Sequence, residues 1–145
     1  MSFKDLGVNA ALTKVLHTSG IEKPFPIQKA TLPDAIAGKD ILGRGQTGSG
    51  KTLAFGLALM TRLAGRTAAS MRPLALVLSP TRELAMQISD VIAPLSRSVN
   101  LNSQVVAGGL SYSKQIQALK RGVPIVARNC SRKERRATFR YRPRN

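Results

Sequence analysis

Gly45-Gln46-Thr47-Gly48-Ser49-Gly50-Lys51-Thr52 is the stretch from which the rest of this chain can be read. It matches G-x-x-x-x-G-K-S/T, with a short apolar step, Ile41-Leu42, before it and an apolar helical pattern from Thr52 to Leu63 after it. The order strand, loop, helix is the setting that a phosphate-binding loop requires. Glycines let the backbone curl so that successive N–H groups, with the positive end of the following helix, face one anionic group. Lys51 is placed to reach the terminal phosphates, and the Thr52 hydroxyl to coordinate a magnesium ion bridging the outer phosphates. A flexible Gly/Ser turn beside a helix is the plain alternative. The flanking pattern favours nucleotide phosphate.

Outward from the loop, helical and extended patterns alternate. Upstream, Ala11, Leu12, Val15 and Leu16 mark a helical face that ends near Gly20. After a Pro-rich turn at Lys23 to Pro26, Ile27 to Ala37 reads as a helix kinked or broken at Pro33. Downstream, Leu74 to Ser79 is a β-rich run, and Leu84, Ile88, Val91, Ile92 and Leu95 recur at helical spacing. Gln104 to Ala107 reads as a short strand, Gly108-Gly109 as a turn, and Ser111 to Arg121 as a helix capped by Gly122. Val123 to Ala127 is the weakest strand candidate, because Pro124 removes a ladder donor. Strands alternating with helices imply a parallel sheet between helical layers, an α/β fold.

The chain has 145 residues, 23 Lys plus Arg against 7 Asp plus Glu, and a formal charge of +16. That is one domain's length, with a field that attracts polyanions such as nucleic acid. One cysteine, Cys130, excludes an internal disulfide framework, and no apolar stretch approaches a bilayer span. The expected setting is cytoplasmic, without a membrane. Residues 1–127 carry 15 basic and 6 acidic side chains and read as globular. Residues 128–145 carry 8 basic and one acidic, with only Phe139 and Tyr141 as large apolar groups, and read as a disordered basic tail.

Over roughly residues 1–127 the sequence resembles the amino-terminal part of DEAD-box RNA helicases. Gly20-Ile21-Glu22-Lys23-Pro24-Phe25-Pro26-Ile27-Gln28 resembles the family's Q motif, and Phe3 stands where its upstream aromatic lies. Gly43 to Thr52 resembles its phosphate loop, Pro80-Thr81-Arg82-Glu83-Leu84 its next motif, and Gly108-Gly109 a further glycine pair. The resemblance implies an incomplete RecA-like P-loop domain with ATP and magnesium as cofactors. Gln28 would select adenine, with Phe3 and Ile21 beside the base. Gly45, Gln46, Thr47, Gly48, Ser49, Gly50, Lys51 and Thr52 would hold the phosphates, and Thr52 the metal. Pro80, Thr81, Arg82, Gly108 and Gly109 would contact RNA backbone.

The residues alone leave other readings open. Gln28 carries a donor and an acceptor suited to adenine's edge, but an exposed helix glutamine looks the same. Phe3 is most simply core, Arg82 can pair with Glu83 or a sheet carboxylate, and Gly108-Gly109 can be only a turn. Hydrolysis needs a second carboxylate motif at another strand end, and after Asp90 the only acid is Glu134, among basic residues. No catalytic residue is therefore assigned. Past Val123 the acidic residue and Thr-Pro-Gly-Arg-like turn that the resemblance implies are absent, so the remainder is expected to be out-of-frame or unrelated sequence. The expected function is ATP and RNA-backbone binding without hydrolysis or unwinding by this chain alone. The alternatives are a non-catalytic basic RNA-binding fragment or a product without function. An uncovered sheet edge and a poorly cooperative melt are also expected.

Overall fold

Pro124 opens the central strand of the sheet rather than disqualifying it. In the computed structural model, which describes residues 1–130, the order is α1 (Ala10–Thr18), α2 (Pro26–Ile36), α3 (Lys51–Leu63), β1 (Ala75–Ser79), α4 (Arg82–Ser98), β2 (Ser103–Val106), α5 (Tyr112–Arg121) and β3 (Ile125–Asn129). Its three strands are parallel in the order β1-β3-β2, as the alternation of elements requires. Pro124 lies one residue before the ladder, so its missing N–H costs no ladder bond. Its carbonyl accepts from the N–H groups of Leu74 and Ala75 and starts the β1 pairing. Burial on both faces favours the continuous apolar run Ile125-Val126-Ala127 in the middle position. The strand continues through Arg128 and Asn129, past the expected Ala127 boundary, and Cys130 N–H donates to Ser79 O at 2.8 Å. The rest of the expected tail, 131–145, lies outside the described residues.

The crossover from β1 to β2 through α4 and the return to β3 through α5 run in opposite directions along the sheet. Both being right-handed, they put α4 and α5 on opposite faces. On the α4 face, Val77 and Ile125 join a core with Ile88, Ile92 and Leu95 of α4, Leu57 and Met60 of α3, Leu32 of α2 and Leu12 and Leu16 of α1. Each fully buried Leu or Ile of this kind contributes about 1.5–3 kcal/mol. The helical face expected of α4 is thus present, with Leu84 and Val91 at its exposed margin. The α5 face is covered at Val126, 4% exposed, but not at β1, where Leu76 is 54% and Leu78 49% exposed.

The segment before the phosphate loop departs from expectation. Ile41-Leu42 forms no strand among the described residues, and Leu42 is 85% exposed. An apolar pair becomes a strand only when a neighbour offers its ladder edge, and the strands β1 to β3 pair only with one another. Pro33 also differs: α2 runs through it to Ile36, and the Ala37 N–H donates to Pro33 O at 3.0 Å.

Candidate functional site

The amino end of α3 is built to leave its amides available. Gly50 is the helix N-cap in the left-handed region, φ +83°, and no side chain caps the first turn. A Cβ on Gly50 would lie 2.6 Å from both Gln28 Nε2 and Phe25 Cδ2, so glycine is required for space as well as for backbone sign. Gln46 to Ser49 form the turn before it, closed by Ser49 N–H to Gln46 O at 3.2 Å. Lys51 Nζ donates to Gln46 O at 2.7 Å and to Gly45 O, which draws the loop around the ammonium. The Ser49 hydroxyl oxygen is buried and has no hydrogen-bond partner. An orphaned hydroxyl beside uncapped helix amides and a lysine is a donor set suited to anionic oxygens. Thr52, half-buried, lines a cavity together with Lys51.

A cavity of about 410 Å³ abuts the loop and is lined by Ile21, Lys23, Phe25, Gln28, Gly50 and Leu53 among others. Gln28 is fully buried here, not an exposed helix glutamine. Its Oε1 accepts from Phe25 N–H at 2.8 Å, as a glutamine in the first turn of α2 can do for the preceding backbone, and its Nε2 donates to Gly50 O at 3.1 Å. One N–H and one lone pair of the amide remain. Gln28 therefore ties the start of α2 to the cap of α3. Phe25, 52% exposed, and Leu53 line the same cavity and were not singled out from sequence. Phe25 could have been found from its place directly before the helix that presents Gln28. Phe3 is elsewhere: at 2% exposure it is packed in the main core with Leu6 and Val8, because its ring is more stable buried than lining an open cavity.

The other candidates meet at the carboxyl edge of the sheet. Ser79 Oγ donates to Thr81 O at 2.9 Å and shapes the turn from β1 into α4. Thr81 is the N-cap of α4, its Oγ1 accepting from Leu84 N–H at 3.2 Å, which leaves its hydroxyl proton to donate outward. Arg82 Nη1 donates to Gly108 O at 3.2 Å instead of pairing with Glu83. Gly109 sits at φ +80°, and a Cβ there would come within 2.6 Å of Arg82 Nη1. Pro80, Thr81, Arg82, Gly108 and Gly109 are all exposed. Two loops far apart in sequence thus form one surface with a guanidinium and a helix amino end. Thr81→Ala is expected to lower stability by about 1 kcal/mol through loss of the cap, read as a shift of the urea midpoint at unchanged slope.

Among the described residues, the two groups displaced from their ordinary ionisation range lie outside both surfaces. Asp5 is lowered, first by the Ser2 backbone N–H and then by the Ser2 hydroxyl, and Lys39 is raised by its hydrogen bond to Asp34 at 2.8 Å. Among the described residues no three His, Cys, Asp or Glu side chains converge to hold a metal ion. Thr52 is the candidate ligand on the chain itself, which suits magnesium, since that ion takes most of its oxygens from phosphates and water.

Comparison with known proteins bears on these two surfaces together. A profile of the DEAD/DEAH box helicase family matches residues 25–136, past Val123, where the sequence was expected to leave the family. The chain is 42% identical over 126 residues to the ATP-dependent RNA helicase DeaD of Escherichia coli strain K12, covering 86% of this chain and 20% of that protein. It superposes on the RNA helicase Prp28 of Chaetomium thermophilum, solved bound to ADP, with a TM-score of 0.79 and 33% identity, over 86% of this chain and 31% of that one. A DEAD box protein from Methanococcus jannaschii gives 0.75 and 31% identity, over 89% and 34%. The chain therefore spans between a fifth and about a third of these relatives.

Proposed function

Because this chain belongs to the DEAD/DEAH box helicase family, we propose that it binds ATP with magnesium on the phosphate loop and RNA backbone on the adjoining sheet edge, without hydrolysing ATP or unwinding RNA by itself. The observation that carries this reading is the direct link from Gln28 to Gly50: the cavity suited to a base and the helix end suited to phosphates share one hydrogen bond. In the bound state the uncapped amides of α3, the Ser49 hydroxyl and the Lys51 ammonium, released from the carbonyls of Gly45 and Gln46, hold the phosphate oxygens. Bound magnesium neutralises phosphate charge, and Thr52 is the side chain that would hold it. Ile21 and Phe25 give the base apolar contact while the remaining N–H and lone pair of Gln28 face its edge. The acid that lines this cavity is Glu22, from the loop before α2, and no acid at a strand end lines it among the described residues, so hydrolysis is left out of this reading. Titration of the full chain with ATP and magnesium, wild type against Lys51→Ala, tests the nucleotide half.

At the sheet edge, Arg82, the Thr81 hydroxyl and the amides that open α4 suit phosphate oxygens of an RNA strand. Such contacts position a backbone and carry no base code. Arg82→Ala is expected to weaken binding of an oligouridylate about 5- to 30-fold and to flatten its dependence on salt by roughly one phosphate's worth of counterion release. An unchanged affinity and slope would place RNA elsewhere, the basic residues from Arg128 to Asn145 being the second candidate.

A further inference from the structure

We propose that Tyr112 is a stacking platform for one base of the RNA strand whose backbone lies on Thr81, Arg82 and the Gly108-Gly109 turn. The inference rests on that reading of the surface and adds a base contact to it. Among the described residues Tyr112 is the most exposed aromatic, at 77%, against 52% for Phe25 and 39% for Phe55. It is the first residue of α5, and Ile116 and Leu119 follow it at helical spacing on the same side of the helix. Those residues are half-buried, so the apolar row runs past the carboxyl edge of the sheet at Tyr112. A lone exposed apolar side chain is ordinary. What singles this one out is where the fold fixes it.

Consecutive carbonyls just past the end of β2 are held by different helices. Arg82 Nη1 donates to Gly108 O at 3.2 Å, and the buried Gln115 donates through Nε2 to Ala107 O at 3.1 Å. The first bond comes from the amino end of α4 and the second from the amino-terminal half of α5, so the guanidinium and Tyr112 keep a fixed relation through the turn between them. The guanidinium lies against Gly109, where a Cβ would meet Nη1 at 2.6 Å. Gly109 and Tyr112 are three residues apart, which puts their Cα atoms within about 11 Å. A strand with a phosphate on Arg82 therefore brings a neighbouring nucleotide to Tyr112. Residues 107–123 contain no Asp or Glu, so no carboxylate of this stretch repels the phosphates on the way. Stacking costs little order here, because α5 is already formed and an aromatic side chain has few torsions to fix. Every base has a π face, so the contact adds affinity for bases without a sequence code.

The chain has two tyrosines, Tyr112 and Tyr141, and no tryptophan, so the full chain carrying Tyr141→Phe reports on Tyr112 by its own emission. An oligouridylate of about ten nucleotides is expected to quench that emission, and an abasic strand of the same length to leave it unchanged. The wild-type chain is expected to hold the oligouridylate about 5- to 30-fold more tightly than the abasic strand. Tyr112→Phe keeps this preference and Tyr112→Ala removes it, with the urea midpoint unmoved because the side chain is exposed. Arg82→Ala weakens both strands by a similar factor and leaves the preference in place. Emission that stays unquenched, or a preference that survives Tyr112→Ala, while Arg82→Ala weakens both strands, would overturn the stacking inference and leave the backbone surface standing. Affinities for both strands that Arg82→Ala leaves unchanged would overturn the reading of the surface, and the inference with it.

Discussion

ATP affinity falls about 10- to 100-fold in Lys51→Ala, while the unfolding free energy moves by less than about 1 kcal/mol. A charge-assisted hydrogen bond to phosphate is worth roughly 1.5–3 kcal/mol, which sets the size of the first effect. The second is small because the partners Lys51 gives up, the carbonyls of Gly45 and Gln46, lie in an exposed loop where water replaces the ammonium. Calorimetric titration with magnesium present, alongside a urea melt, separates the two. Equal affinities for wild type and variant would mean that the loop does not hold the triphosphate, however well its glycines are spaced.

Gln28→Ala has the opposite profile, with a loss of about 1–3 kcal/mol in stability before any nucleotide is added. The truncation leaves the Phe25 N–H without its partner and takes from the Gly50 carbonyl one of its two donors, the Ala54 N–H remaining, around a side chain that is fully buried. Each buried group left unpaired costs about 1–3 kcal/mol. Against a total of about 5–15 kcal/mol for a small domain, this is a large fraction. Denaturation followed by circular dichroism measures it. The same variant is expected to lose ATP affinity and to discriminate less between ATP and GTP, since the amide's remaining donor and acceptor go with it. A variant as stable as wild type would show that Gln28 does not tie α2 to α3.

The two substitutions separate chemistry that is written locally from chemistry assembled by the fold. Glycines at 45, 48 and 50 followed by Lys51 and Thr52 specify a loop and helix start within eight residues, and the structure has Gly50 at a left-handed φ in the cap position. Helical periodicity likewise marked α1 and α4, because residues three and four apart share a face whatever lies opposite. Thr81, read from the sequence only as a contact to RNA backbone, is the N-cap of α4.

Strands were harder to read, and for one reason. A strand's identity depends on which edge it meets, and that partner is dozens of residues away. Val123 to Ala127 looked weak because of Pro124, yet β3 is the central strand, with Ala75 paired to Ile125 on one side and Ser103 on the other. Ile41-Leu42 looked sufficient and forms no strand among the described residues. The engagement of Gln28 with Gly50, of Arg82 with Gly108, and the burial of Phe3 away from the base cavity are equally non-local. Short spacings along the chain were enough to determine the glycine-rich turn and helix start at Gly45 to Thr52, the helix faces and the α/β alternation, since backbone geometry enforces them within a few turns. Strand order among the described residues and the hydrogen bonds within each candidate surface, Gln28 to Gly50 and Arg82 to Gly108, were decided only by tertiary packing, because each depends on which distant backbone and side-chain groups are brought together when water is excluded.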